Sequence, residues 1–544
     1  MFKKITYTFV IFFLSLNSFA QNNSGEIHGD FDLNMQSYQE DELIGAKEAD
    51  EIILNNAYLN INYTKGDFAA GLRYESYLNA LMDFDDNYKG NGIPFRYAAY
   101  SIDGLDVTVG NYYEQVGSGL IFRSYENKGL GADNAMDGIR LKYSPLKGVY
   151  LKSFIGKSRT YFTYADGIIR GADGEININE ALDFESKTRI IIGQGFVSRF
   201  QADINPKFKL PQNVAAYSTR LNIINGGWNY SGEYAIKLND PVGSLTTEGN
   251  NYANGNALLS SLTYSKRGFG IIAEMHRVDH MEFRSERAAE KQYIINYIPT
   301  LTKQHTYTLL ALYPSSTQAE GEFGTQIDLF YKIKKGSLLG GKYGTKIIFN
   351  FSRINALNGG KSYLNDNREH NPMFISINGE ELYYKDINLE VYKKINKKIR
   401  ATGVIAKQSY NKDVLEGKTP GTYGIVESTI AIADISYKIK KGHTVRIELQ
   451  ELLADGGEGS WSMGLAEYTI SPHWFFAVQD MYNWGNNDVS KQLHYVNVNC
   501  GFLKGANRIA IGYGKKRAGI FCVGGVCKEV PSSNGFSLTI SSSF

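Results

Sequence analysis

The last nine residues, Phe536-Ser537-Leu538-Thr539-Ile540-Ser541-Ser542-Ser543-Phe544, constrain the fold more than any other stretch. Bulky side chains fall at Phe536, Leu538 and Ile540, with Phe544 in the same register, while Ser537, Thr539, Ser541 and Ser543 take the opposite face. That is the period of a β-strand. The same alternation sets Ala57, Leu59, Ile61 and Tyr63 against Asn56, Tyr58, Asn60 and Asn62, and after Thr64-Lys65-Gly66-Asp67 it sets Phe68, Ala70, Leu72 and Tyr74 against Arg73 and Glu75. This reads as a hairpin. It returns with Ile387, Leu389 and Val391 against Asp386, Asn388 and Glu390, and with Val445, Ile447 and Leu449 against Arg446, Glu448 and Gln450.

Alternation alone fits a soluble sandwich or a membrane barrel, because either architecture pairs an apolar face with a polar one. The amino terminus favours the barrel. Lys3 and Lys4 precede an apolar run through Leu16, and Asn17-Ser18-Phe19-Ala20 offers small residues for signal cleavage, so residues 1–20 read as an export signal and 21–544 as the mature domain. After residue 20 no run approaches the roughly 18 apolar residues a spanning helix needs. A membrane-spanning protein from this chain therefore has to cross with strands.

The connections carry the same message. Three stretches, Tyr331-Lys332-Ile333-Lys334-Lys335-Gly336, the Lys-rich run from Tyr392 to Lys398, and Tyr437-Lys438-Ile439-Lys440-Lys441-Gly442, set a Tyr beside clustered Lys, as an interfacial anchor does. The intervening connections are longer and more polar, at 39–51, 114–137, 159–212, 238–255, 278–290, 355–382 and 516–534. Short turns alternating with long loops describe an all-β, up-and-down antiparallel transmembrane barrel with short periplasmic turns, long outer loops and about 24 strands, to within about four. Tyr 38 and Phe 29 suit aromatic girdles at both interfaces. A barrel that wide needs filling or stays open, and 114–137 and 159–212 are the candidate fillers, with a position over the outer mouth as the alternative.

Few residues point to chemistry. Cys522-Val523-Gly524-Gly525-Val526-Cys527 reads as a Gly-Gly hairpin that places Cys522 opposite Cys527 as a non-hydrogen-bonded pair, with Cα atoms about 4.5 to 5.5 Å apart. A disulfide is expected there, worth about 2 kcal/mol for so small a loop. Cys500, in register with Val496, Val498 and Phe502, reads as lipid-facing. His276, Asp279 and His280 are too common a spacing to define a metal site, and Asp83, Asp85, Asp86 and Asn87 lack EF-hand spacing. The Gly-rich stretch 110–119 lacks the Lys and Ser/Thr of a phosphate loop, and no Ser, His and acid arrangement stands out. The reading is therefore no enzyme, no metal and no cofactor. With 58 basic against 56 acidic residues the net charge of +2 gives no field for nucleic acid.

The carboxy-terminal strand ending in Phe resembles the closing strand of bacterial outer-membrane barrels, where it is read by the assembly machinery; Phe536, Leu538, Ile540 and Phe544 carry that signal here. The stretches Gly29-Asp30-Phe31-Asp32-Leu33-Asn34-Met35-Gln36-Ser37-Tyr38, Asn111-Tyr112-Tyr113-Glu114-Gln115-Val116-Gly117-Ser118-Gly119-Leu120 with Arg123 and Asp133-Asn134, and Arg517 to Cys527 are similar to an uncharacterised family of exported Bacteroidota proteins, a domain of unknown function. The resemblance spans the mature chain and implies an outer-membrane barrel without supplying an activity. Here Asp32-Leu33-Asn34 stands where Glu-Ser-Asn is expected.

These readings lead to an outer-membrane channel or uptake protein for polar solutes. Its mixed-charge lumen is expected to be lined by Arg73, Glu75, Asp386, Asn388, Glu390, Arg446 and Glu448, with Glu114, Arg123, Glu126, Lys128 and Asp133 as a constriction loop. The alternative is a plugged barrel acting as scaffold or partner subunit for another envelope protein. A barrel-embedded hydrolase comes third. The expected partners are outer-membrane lipid, the assembly machinery and an envelope protein.

Overall fold

The computed structural model describes residues 25–203, 210–242, 251–287, 293–319, 321–357, 381–523 and 526–544. The segment read as a signal peptide lies outside them. Among the described residues, 24 strands from Glu26–Gln36 to Ser533–Ser543 form one antiparallel sheet, each paired with its neighbour along the chain. The sheet is closed. Glu26–Gln36 pairs with Ser533–Ser543 from Asp30 opposite Ser543 to Gln36 opposite Ser537. The terminal aromatic completes that seam, its amide donating to Gly29 O at 3.0 Å and its carbonyl accepting from Gly29 N at 2.9 Å. Closure leaves no edge with unpaired backbone groups, which a hydrocarbon interior does not tolerate.

Alternation then sorts the side chains. On Leu382–Lys394, Asp386 and Asn388 are buried inside while Leu389 faces out; on His443–Asp455, Glu448 and Gln450 face in while Leu449, 58 % exposed, and Leu453 face out. Exposed Tyr100, Tyr143, Trp228, Tyr331, Tyr437 and Trp474 ring the short-turn end of this apolar belt, where amphipathic rings meet the lipid headgroups. Phe536 and Phe544 are exposed on the same outer surface. Cys500 belongs to that face too, opposite Phe476 and Ile511. No helix of the described residues is long and apolar enough to cross a membrane.

Short turns on the side of the two termini alternate with mostly longer connections on the other side, as the sequence implies, with the two-residue turn Tyr161-Phe162 as an exception. One expectation is corrected. Residues 159–212 are not an outer loop: they hold two wall strands, Thr163–Asn177 and Thr188–Phe200, which contain Gly167 to Gly174 and Ile190-Ile191-Ile192 respectively. The reason is local. In the first half of Thr163–Asn177 the outward row carries Asp166 and Arg170, whereas Ala165, Gly167, Ile169 and Gly171 face in, so the usual contrast between faces is inverted there, and it returns only with inward Asp173 and outward Ile176. Gly171 is required because the Phe154 ring lies over it, where any Cβ would overlap the ring.

The hairpin at 519–530 has the expected register, with Cys522 opposite Cys527 and Val523 opposite Val526. The side chains of 521–528, and with them the expected disulfide, lie outside the described residues.

Candidate functional site: the occupied lumen

Two stretches leave the outer end of the wall and turn inward. The first, 113–135, joins Leu105–Tyr112 to Met136–Leu146; the second, 280–320, joins Phe269–Asp279 to Gly321–Ile333.

The first is held by apolar packing, with Val116, Leu120, Ile121 and Phe122 buried among wall residues such as Phe154, Val197 and Val214, and by charge. Arg73 Nε lies 2.6 Å from Glu75 Oε1, and Arg159 Nη2 lies 2.6 Å from Glu75 Oε2. These three residues belong to the wall. Both guanidinium groups also meet Asp133 of the inserted stretch, and Arg73 Nη1 reaches Glu126 at 3.1 Å. Arg73, Arg159 and Glu75 are fully buried, so removing one partner leaves buried charge incompletely compensated, at a cost of up to about 3–5 kcal/mol. A second chain of ion pairs starts at Glu114, with Lys152 at 3.2 Å and Lys142 at 3.3 Å, and runs through Asp173 to Arg220. Burial pushes the Glu114 carboxyl up, yet Lys152, the Gln115 amide and Lys142 outweigh it and hold the group below the usual carboxylate range. Glu126 goes the other way: burial lifts it above that range, with Arg73 opposing and Asp133 adding. Gly117, at φ +56°, brings the backbone against the wall so closely that a Cβ would sit 2.5 Å from Glu233 Oε1, and the Ser118 amide donates to Glu233 Oε2 at 2.7 Å.

Arg123 joins the two inserted stretches. Its guanidinium lies over the rings of Tyr125 and Tyr297 at 4.7 and 4.2 Å, and its amide donates to Ile295 O at 2.7 Å. Asn296 Nδ2 donates to Leu120 O at 3.1 Å, and Tyr297 N to Gly119 O at 2.9 Å. Lys128 reaches the seam, 2.6 Å from Asp32 Oδ2 and over the Tyr58 ring.

From there the second stretch crosses to the far wall. Lys303 Nζ donates to Asn388 Oδ1 at 3.2 Å and pairs with Glu390 at 3.3 Å; His305 Nε2 and Asp386 Oδ2 lie 2.5 Å apart. The Tyr307 hydroxyl donates to Asp434 at 3.2 Å, and burial, then that carboxylate, push it up to about 12. Leu309 N donates to Gln450 Oε1 at 2.8 Å, and Gln408 Nε2 donates to Leu310 O at 3.0 Å. Leu309, Leu310, Leu312 and Tyr313 then enter an apolar cluster with wall residues including Tyr410, Ile430, Leu452 and Trp461. A cavity of about 490 Å³ opens over this tip, lined in part by Tyr313, Pro314, Lys412, Glu458 and Arg517.

The filling is uneven along the barrel axis. On Ile425–Lys440 the inward side chains Val426, Ser428, Ile430 and Ile432 are buried, Asp434 and Ser436 are half-buried, and Lys438 and Lys440 are exposed. Asn213–Asn225 repeats the trend from buried Val214 to half-buried Ile224. The inserted chain thus occupies the outer half, and a vestibule opens on the short-turn side.

This alters the expected lumen lining. Arg73, Glu75, Asp386, Asn388 and Glu448 do point inward but are buried, their polar groups committed to contacts within the chain; Glu390 and Arg446 are half-buried toward the open part, paired with Lys303 and with Asp434. The expected connection at 278–290 is the start of the longer inserted stretch. Its signal was an absence: residues 281–319 lack any sustained period of two and contain Pro299 and Pro314. Among the described residues, no group of three His, Cys, Asp or Glu could hold a metal ion.

A closed sheet, a lipid-facing belt and a lumen occupied by its own chain define an outer-membrane β-barrel. The chain belongs to the family of unknown function DUF6029, whose model matches residues 1–544. No curated protein matches it. Among solved structures, the P pilus usher (PapC) translocation pore is similar at 10% identity and TM-score 0.45, over 95% of this chain and 99% of that one. The E. coli P pilus tip assembly intermediate PapC-PapD-PapK-PapG gives 10% and 0.49, over 97% of this chain and 62% of that one. The ferric enterobactin receptor PfeA of Pseudomonas aeruginosa, as an R480A_Q482A mutant, gives 8% and 0.41, over 96% and 81%.

Proposed function

We propose that this protein is a plugged barrel that serves the outer membrane as a scaffold or partner subunit, with no catalytic role. The observation that carries this reading is the seat of Leu309, Leu310, Leu312 and Tyr313 in the apolar cluster. A loop that merely narrows a water-filled pore keeps a solvated face. This segment instead buries its apolar side chains and satisfies backbone groups with wall side chains, as packed core does.

The second reading, uptake of a polar solute, draws on the cavity over the plug tip and the charged vestibule below it. A solute bound above could displace the tip and pass between Glu390 and Arg446. Planar-bilayer recording separates the two. The full chain is expected to stay silent, and deletion of residues 300–316 to produce steady steps. Steady conductance of the intact chain would overturn the plugged reading.

A further inference from the structure

Among the described residues, eleven turns ring the periplasmic mouth, and their positive charge is concentrated in three adjacent ones. Residues 332–346 carry five lysines, 392–400 four lysines and Arg400, and 437–443 three lysines; none of the three contains Asp or Glu. None of the other turns carries more than two basic residues; 146–149, 266–269 and 504–507 hold one or two, and 102–106 and 177–189 are net acidic.

Direction matters as much as number. Lys332 pairs across the sheet with Lys346, and Lys346 with Tyr392; Lys394 pairs with Arg400, and Arg400 with Ser436. These rows continue the inward faces of Asp328, Asn350 and Asn388, whereas Tyr331, Ile347, Tyr437 and Ile439 take the lipid side. Lys332, Lys346, Lys394, Arg400, Lys438 and Lys440 are therefore turned toward the mouth and away from the headgroups, while Lys393, in the row of Ile347 and Val391, takes the lipid side. Like charges directly opposed across strands are destabilising, and these pairs have no carboxylate within their turns to relieve them. Beside them, Leu338 is 97 % exposed and Leu339 67 % exposed at the tip of the 334–344 turn, with Ile395 exposed on the next.

We propose that this quadrant of the periplasmic mouth docks an acidic polypeptide segment with interspersed apolar side chains, contributed by a partner protein. The inference deepens the scaffold reading by naming the chemistry of the partner. Its carboxylates neutralise the opposed lysines, and its apolar residues cover Leu338 and Leu339. A simple polyanion would leave those leucines in water. Anionic lipid would meet the wrong face of the strands.

The test uses the full chain in phosphatidylcholine nanodiscs and a fluorescent peptide of about 15 residues repeating Glu-Asp-Leu, followed by anisotropy. Binding is expected to weaken roughly tenfold between about 50 and about 500 mM salt, and roughly tenfold again when Lys332, Lys334, Lys335, Lys342 and Lys346 are all replaced by Gln. Leu338→Ser should weaken it about threefold. A control with Lys65, Lys147, Lys266, Arg267 and Lys504 replaced by Gln should change it little. Equal loss in both multiple variants, no binding at all, or equal competition by leucine-free polyglutamate or phosphatidylglycerol vesicles would overturn the proposal. A barrel that binds the peptide but conducts steadily would retire the plugged reading and leave the docking surface standing. A silent barrel that binds nothing would do the reverse.

Discussion

Replacing Leu309 by Ala is the sharpest probe of whether the inserted stretch behaves as core. Leu309 is fully buried, and its neighbours Leu310, Tyr410, Ile430, Leu452 and Trp461 are buried in the same cluster. Truncation of a buried leucine costs about 2–5 kcal/mol through lost transfer energy and an incompletely closed cavity. If that cost falls on a local opening of residues 303–313, its population rises about 30- to 4,000-fold, since each 1.4 kcal/mol is tenfold. Hydrogen exchange by mass spectrometry reads this directly. The amides of Leu309, donating to Gln450, and of Ala311, donating to Tyr307 O, should lose protection by that factor. Strand amides of Ile425–Lys440 and His443–Asp455 should keep theirs. Unchanged exchange in 303–313 would refute the claim that this cluster holds the plug. A uniform loss across the wall would refute the claim that the plug opens separately from the barrel.

Two carboxylates of the first inserted stretch should respond to pH with opposite sign. Glu114 is held low, so its contribution is present above its unfolded pKa of about 4.3 and is lost as pH falls through its lower folded value. Glu126 is raised, so its contribution is full below the unfolded value and fades as pH rises through the folded one. At pH 7, Glu114→Gln is therefore expected to loosen 113–135 to proteolysis while Glu126→Gln does so less or not at all; the reverse order would contradict the geometry. Thiol alkylation of the denatured chain without reductant should label Cys500 alone, and all three cysteines after reduction. Labelling of all three from the start would rule out the Cys522 to Cys527 bridge.

The sequence by itself determined the barrel. Strict alternation in stretches such as 56–63 and 445–450 sets which face meets lipid, because a strand's side chains can take no other period. Turn composition set the sidedness, and the closing aromatic marked the seam. It also placed Arg73, Glu75, Asp386, Asn388 and Glu448 on the inner face. It failed where one face has two environments: in the first half of Thr163–Asn177 the inner row packs on inserted chain and turns apolar, which hid that strand. What those inner residues touch was decided only by the tertiary structure. The Leu309 amide meets Gln450, and His305 meets Asp386, through contacts between residues 81 or more positions apart, and a segment without periodicity announces no face to match. A period-two code reports the direction a side chain points; whether water or a folded-in stretch of chain waits there depends on loop closure across the whole barrel.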